Sequence, residues 1–314
     1  MTVPADANRQ GGSSSTRPSL QPETPRVTEA GVDTWRLLFR TTLDIPPESA
    51  IFDVGRYKAQ WFAGHSILAL EGHPSREGLA EPWGLESAYQ EVLQDLEEWG
   101  HVPTAFAGLA RLDSTVTQRM DRGEGQAVLA GLAALDVPAC DPVVRGKPAH
   151  SIAFVHVSGK RVLGRAYDKG REAGTAGAWE LIRLEDQFRP ASGKRPGREN
   201  FHAEYVRGRF HKRFVPLYRS ARGVKVTGLP VVAKDVAERV HAGELDMRRA
   251  ERMMGSLLLL SAGAPYSRST YYKRRAELRD NGYVLADDFF TPVEVDLAVV
   301  LEAALETPLW GSNG

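Results

Sequence analysis

The sequence of 314 residues has little of what marks secreted, membrane-spanning or zinc-binding proteins. Its single cysteine, Cys140, excludes an internal disulfide and a metal site built from cysteines, and it favours a reducing compartment. No apolar run approaches about 20 residues, so no membrane span is predicted. The first residues lack the charged-then-apolar pattern of a signal peptide, and we therefore expect a cytoplasmic protein.

The formal net charge is zero, because 40 Lys and Arg balance 40 Asp and Glu, but the charges are unevenly distributed along the chain. Residues 1–110 carry 8 basic and 15 acidic residues, whereas residues 189–225 carry 11 basic and 2 acidic ones. No basic residue follows Arg279. This segregation is typical of a protein with one surface that faces a polyanion, and the alternative is a solvated basic loop beside an acidic surface.

The composition divides the chain into three parts. Residues 1–31 are predicted to form a disordered leader, because they are rich in Ser, Pro, Thr, Gln and Gly up to residue 27 and order is expected to begin near Val32. Residues 32–225 contain short alternating stretches joined as hairpins. This predicts an α+β domain with a curved antiparallel sheet and helices on one face. Residues 226–314 are predicted to be mainly helical.

Two stretches about ten residues apart, 165–169 and 182–189, contain most of the side chains that could take part in catalysis. Because side chains alternate along a strand, one polar face of the second stretch is predicted to carry Arg183, Glu185, Gln187 and Arg189. In the first stretch Arg165, Tyr167 and Lys169 point one way, and Asp168 reaches the same side only if the strand ends or bulges at Tyr167. A third strand, around residues 107–117, places Arg111 and Asp113 on its polar face.

These residue types are the parts of a strand-transferring DNA nickase. Tyr167 is the candidate nucleophile, and its hydroxyl, with an ordinary pKa of about 10, needs help from Lys169, Arg165 or a bound ion. Oxygen ligands suited to Mg²⁺ or Mn²⁺ are Asp113, Asp168 and Glu185. The alternatives are a packed strand tyrosine and surface ion pairs of these carboxylates with Arg111, Lys169 and Arg183.

The C-terminal part contains a basic helix of about residues 267–280, which Ser267 can cap. Preceded by another helix and a short turn, it resembles the reading helix of a helix-turn-helix unit. Its candidate DNA-binding residues are Arg268, Lys273, Arg274 and Arg275. The alternative is an ordinary amphipathic helix with a basic face.

Three of these motifs together resemble the signatures of the rolling-circle replication initiation factors of plasmids, conjugative transposons and filamentous phages, which lack a paired-histidine metal motif. The motifs are Arg111-Leu112-Asp113, Tyr167-Asp168-Lys169 and Ile182-Arg183-Leu184-Glu185. Here too, no two histidines are separated by a single residue. Stretches 64–66 and 267–274, with Gly282, are similar to parts of the phage proteins, so the resemblance spans residues of about 32–285 in order.

The resemblance implies that residues 32–225 form a nicking domain and residues 226–314 a DNA-binding or accessory region. Tyr167 would become linked to a 5′-phosphate, with Lys169 beside the phosphate and Asp113, Asp168 and Glu185 around the ion. Arg111, Arg165, Arg183 and Arg189 would contact DNA. The implied partners are origin DNA and a host helicase and polymerase. A homodimer is possible. Two other functions stay open: a non-catalytic DNA-binding regulator, and a metal-dependent hydrolytic nuclease.

Overall fold

A large antiparallel sheet dominates the part of the chain that this computed structural model describes, which comprises residues 26–41, 50–73, 85–100, 103–121, 123–145, 150–159, 162–174, 180–261, 267–285 and 294–308. Over these residues the sheet has nine strands in the order β2-β3-β4-β1-β5-β9-β8-β7-β6. The strands are β1 (Arg26–Arg40), β2 (Ala50–Val54), β3 (Tyr57–Phe62), β4 (Ile67–Gly72), β5 (Ala105–Met120), β6 (Cys140–Arg145), β7 (Ser151–His156), β8 (Val162–Asp168) and β9 (Glu180–Phe188).

Eight helices and a smaller sheet complete the described fold, which is therefore of the α+β class, as predicted. The helices are α1 (Leu85–Glu98), α2 (Glu124–Ala134), α3 (Lys169–Glu172), α4 (Ala203–Ala221), α5 (Leu229–His241), α6 (Met247–Ser261), α7 (Arg268–Asp280) and α8 (Leu297–Leu305). The smaller sheet has the order β11-β10-β12 and consists of β10 (Lys225–Thr227), β11 (Tyr283–Leu285) and β12 (Glu294–Asp296).

The apolar face of the large sheet and four helices enclose the main core. Along β5 and β9 the residues Leu112, Val116, Ile182 and Leu184 point into this core, together with apolar side chains of α1, α2, α4 and α8. Because strand side chains alternate, the residues between them lie on the opposite face of the sheet. That opposite face is polar, and it is the face that carries the candidate site.

Strand β1 begins at Arg26, six residues before order was predicted to begin. The reason is long-range pairing: Arg26 lies opposite Arg119 of the long strand β5, and the Thr28 hydroxyl donates to the Thr117 carbonyl at 3.2 Å. Composition carries no information about such a distant partner. Residues 1–25 of the predicted leader lie outside the described residues.

A second, smaller core unites the three helices α5, α6 and α7. Strand β11 separates the two cores, since Tyr283 faces the helices and Val284 faces the main core. Helix α8 packs into the main core through Leu297, Val300 and Leu301. The predicted boundary at residue 225 therefore falls at the first residue of β10, and the last helix beyond it belongs to the main core.

None of the helices in the described part of the chain is long and apolar enough to cross a membrane.

Candidate active site on the polar face of the sheet

Strand register brings five of the predicted site residues together. On adjacent strands, Tyr167 of β8 lies opposite Arg183 of β9, and Arg165 lies opposite Glu185. On the other side of β9, Asp113 of β5 lies opposite Gln187. Since cross-strand partners share a face, Tyr167, Glu185 and Asp113 lie on one polar surface that spans three strands.

The hydroxyl of Tyr167 donates a hydrogen bond to Glu185 Oε2 at 3.2 Å. The ring is buried, with an exposed fraction of 8%, but it lies on the polar face and not in the apolar core. Burial raises the pKa of the Tyr167 hydroxyl, and the Glu185 carboxylate raises it further. At neutral pH the hydroxyl therefore carries its proton, and Glu185 is the group placed to accept that proton.

Asp113 is a buried carboxylate with one oxygen that has no hydrogen-bond partner among the described residues. Its Oδ2 accepts from Arg111 Nε at 2.9 Å, whereas Oδ1 accepts no hydrogen bond and lies 4.0 Å from Arg189 Nη1. Burial raises the pKa of Asp113 to about 6; repulsion from Glu185 adds to this rise, and Arg111 opposes it. A cation, a water molecule or a proton could satisfy a carboxylate oxygen that is buried without a donor.

Asp168, the third predicted ion ligand, does not join this group. It lies opposite Ile182, a core residue, so strand alternation turns it to the other face of the sheet. Its Oδ1 accepts from the Arg171 backbone N–H at 2.9 Å and caps the short helix α3. In the described ranges, no three His, Cys, Asp or Glu side chains form a group that could hold a metal ion.

The four arginines predicted to contact DNA fall into two pairs. Arg183, with an exposed fraction of 2%, donates to Asp33 at 2.6 Å, to Glu29 and to the Thr117 hydroxyl. Arg111 is bound to Asp113 and, at 3.0 Å, to Glu71. Both guanidinium groups are engaged in internal ion pairs, and their contact with DNA stays a prediction.

The other two arginines, Arg165 and Arg189, are more exposed than Arg111 and Arg183. Arg165 is exposed and forms no ion pair with any other residue that the structure describes. The Arg189 side chain is 46% exposed, and burial, together with repulsion from Arg111 and Arg165, lowers its pKa. Arg165 and Arg189 are close enough to repel each other, and an anion between two such guanidinium groups would stabilise them.

Lys169 follows the strand on helix α3. Its Nζ is 2.8 Å from Glu172 Oε2 and 6.0 Å from the centre of the Tyr167 ring. Lys169 therefore lies near the tyrosine, but in this structure its charge is paired with Glu172.

Sequence reasoning missed Glu71 and His73, which extend the polar network to β4. Glu71 is buried and contacts Arg111 Nη1 at 3.0 Å, Arg36 Nε at 3.2 Å and His73 Nε2 at 3.4 Å. The hydrogen bond from His73, joined by these two arginines, lowers the pKa of Glu71 to about 2. The sequence feature that could have pointed to Glu71 is Arg36 on the polar face of β1, because an acidic partner on the neighbouring strand would lie opposite it.

In the C-terminal region, α7 has an exposed basic side. Lys273 and Arg275 are exposed, whereas Arg274 pairs with Glu277 at 3.0 Å, and Glu277 also contacts Arg252 of α6 at 3.3 Å. Arg268 is the first residue of α7, and its side chain lies outside the part of the chain that is described.

Comparisons of the chain with the models of known protein families, with curated proteins and with solved structures give no match. The geometry of the chain's own residues is therefore the basis on which a function is assigned.

Proposed function

We propose that this chain is a replication initiation protein. It cuts and rejoins one strand of origin DNA through a covalent 5′-phosphotyrosine and so starts rolling-circle replication of a plasmid or phage. The observation that carries the proposal is the hydrogen bond from the Tyr167 hydroxyl to Glu185, next to the second buried carboxylate Asp113. The motif resemblance supports the same reaction.

In this reaction Tyr167 Oη attacks the phosphorus of a phosphodiester. A bond forms between Oη and phosphorus, and the bond from phosphorus to the 3′ oxygen breaks. The tyrosine proton passes to Glu185, and the 3′ oxygen takes a proton from water. Arg165 and Arg189 hold the phosphate and offset the negative charge that gathers on it. The free 3′-hydroxyl primes synthesis, and the reverse reaction reseals the strand.

The residues fit a hard divalent cation. Asp113 Oδ1 is buried without a hydrogen-bond donor among the described residues, and Glu185 repels it across the two strands. Mg²⁺ is commonly held by one or two carboxylates together with substrate phosphates, so a third protein ligand in place of Asp168 is not required. Asp113 and Glu185 would hold Mg²⁺ or Mn²⁺, which would stabilise charge on the phosphate.

Helices α6 and α7 would read duplex DNA next to the cut as a helix-turn-helix unit. The exposed Lys273 and Arg275 on α7 support this, since phosphate contacts from such side chains supply most of the affinity for DNA. A host helicase and polymerase would then act on the nicked strand. A homodimer would supply a second tyrosine for the closing step.

The test uses a supercoiled plasmid that carries the DNA flanking the gene for this chain, incubated with Mn²⁺. Denaturing electrophoresis should show labelled DNA linked to protein. Tyr167→Phe should abolish the link and leave duplex binding within about threefold. The matched control is Tyr57→Phe, because Tyr57 is also buried and donates to a carboxylate, Asp95, at 2.6 Å, but lies in the main core.

The second candidate is a non-catalytic DNA-binding regulator. It is favoured by the internal pairing of Arg111 and Arg183, which makes part of the polar face a structural network. This candidate predicts salt-sensitive duplex binding and no covalent adduct with any metal. A hydrolytic nuclease would instead release free ends, and Tyr167→Phe would then cut DNA normally.

A further inference from the structure

Gln187 occupies the centre of the candidate site without having been singled out in the sequence. It is buried, and it lies directly opposite Asp113 in the strand register. Its side-chain amide nitrogen donates to Glu185 Oε1, and its amide oxygen accepts from Arg189 Nη1 at 3.4 Å. One side chain thus links the partner of Tyr167 to an arginine of the phosphate site.

Glu185 lies close to an exposed arginine. Arg165 is directly opposite it on β8, whereas Arg189, which follows the end of β9, donates to Gln187. A carboxylate next to an exposed guanidinium without an internal partner readily forms an ion pair with it. Yet in this structure Glu185 contacts Gln187 with one oxygen and Tyr167 with the other.

We infer that Gln187 is a positioning residue: it holds Glu185 turned toward the Tyr167 hydroxyl and keeps it from pairing with Arg165, so that this arginine stays available for the phosphate. This inference rests on the proposed function for its chemical meaning. An amide suits the position because it donates to the carboxylate and accepts from the guanidinium at once. A glutamate there would add a third negative charge beside Asp113 and Glu185.

The test replaces Gln187 by methionine, which has a similar length and shape but cannot donate a hydrogen bond. The matched control is Gln118→Met, because Gln118 is also a buried glutamine of the same sheet but donates to the Val300 carbonyl at 2.9 Å on the core side. We expect Gln187→Met to slow the single-turnover rate of covalent adduct formation by about 10- to 100-fold, the usual effect of losing such an outer partner. Binding of the same DNA should weaken less than about threefold. The Gln118→Met protein should lose stability but react at the wild-type rate.

A second measurement does not depend on activity. With 3-fluorotyrosine at position 167, the ¹⁹F signal of the DNA-free protein should move in Gln187→Met in the same direction as in Glu185→Gln, and it should stay in place in Gln118→Met. If Gln187→Met does not fold, Gln187→Asn replaces it; the shorter side chain withdraws the amide and should move the signal likewise.

The outcomes separate the two proposals. If the wild type forms no adduct, the proposed function is wrong, and the ¹⁹F signals still decide whether Gln187 orients Glu185. If the wild type forms the adduct but Gln187→Met reacts at the same rate, or if its ¹⁹F signal coincides with that of the wild type, the positioning role is overturned.

Discussion

Two arginines on the polar face should respond in opposite ways when each is replaced by methionine. Arg183 is almost fully buried and is bound to Asp33 and Glu29, whereas Arg165 is exposed and has no ion pair with another described residue. Arg183→Met should therefore destabilise the fold. Arg165→Met should leave stability unchanged and weaken the binding of DNA.

The size of the first effect follows from the burial of the partners. Removing one member of a buried ion pair costs about 3–5 kcal/mol, because the other charge is left without compensation. The Glu29 side chain is 37% exposed and the Asp33 side chain 17% exposed, so water can solvate the two carboxylates in part and reduce this cost. We therefore expect about 2–3 kcal/mol for Arg183→Met, or a decrease in Tm of roughly 3–6 °C for a chain of this length. Arg165→Met should stay within about 0.5 kcal/mol.

Urea unfolding, followed by far-UV circular dichroism, measures the two stabilities. Fluorescence anisotropy of a labelled single-stranded oligonucleotide at several salt concentrations measures binding. Loss of one phosphate contact should reduce the slope of log K against log salt by about 0.7 in Arg165→Met. If Arg183→Met keeps its stability and loses DNA binding as Arg165→Met does, the assignment of Arg183 to internal ion pairs is wrong.

Three further predictions concern separate parts of the molecule. Because the pKa of Asp113 is raised from 3.8 to about 6, the folded state favours the protonated form, and the wild type should lose stability as the pH rises. Between about pH 4 and pH 7 it should lose about 2 kcal/mol relative to Asp113→Asn; urea-unfolding midpoints of the two proteins that change equally between these pH values would contradict this. Lys273→Gln should reduce the slope of log K against log salt concentration by about 0.9 for duplex DNA, measured by filter binding, and should leave adduct formation on single-stranded DNA unchanged. An unchanged slope would exclude a phosphate contact at this position. Gly164→Ala should lower the free energy of unfolding by about 1–3 kcal/mol and slow adduct formation, because a Cβ atom there would lie 2.8 Å from the Glu185 carbonyl oxygen. If the variant unfolds at the wild-type temperature and reacts at the wild-type rate, β8 and β9 need not approach so closely.

Local patterns were sufficient to predict the elements that form within a few residues. Alternation along residues 107–117 predicted the polar and apolar faces of β5, and the Ser158-Gly159-Lys160 turn predicted the hairpin of β7 and β8, where Gly159 has a φ of 69°. The order of the strands in the sheet could not be predicted from such patterns. Strand β1 lies between β4 and β5, and β5 pairs with β9, which is about 70 residues further along the chain. No local pattern specifies such a partner.

The same limit explains which of the predicted site residues could be placed on the correct face of the sheet. Polar positions on β5 and β9 follow from alternation alone, so Asp113 and Glu185 could be placed on one face. Alternation also put Asp168 on the far side, and only an assumed bulge brought it back; the structure retains the alternation. The partners of Arg183 come from β1, in and just after a segment whose composition predicted disorder, and so its burial could not be foreseen.

The burial of Tyr167 bears on the choice between strand transfer and hydrolysis. A tyrosine–phosphate bond is useful for rejoining only if water is kept from it until the 3′-hydroxyl returns. The ring and hydroxyl of Tyr167 lie among side chains of β8 and β9 with little access for water, whereas Arg165, next to them on β8, is exposed. A DNA strand would therefore approach from the arginine side, and its phosphate would cover what remains of the opening. A nuclease that activates water needs the opposite arrangement, with space for a water molecule at the carboxylates and no need for a buried hydroxyl. Under the proposed function, the burial of Tyr167 would therefore protect the tyrosine–phosphate bond from water until the 3′-hydroxyl returns.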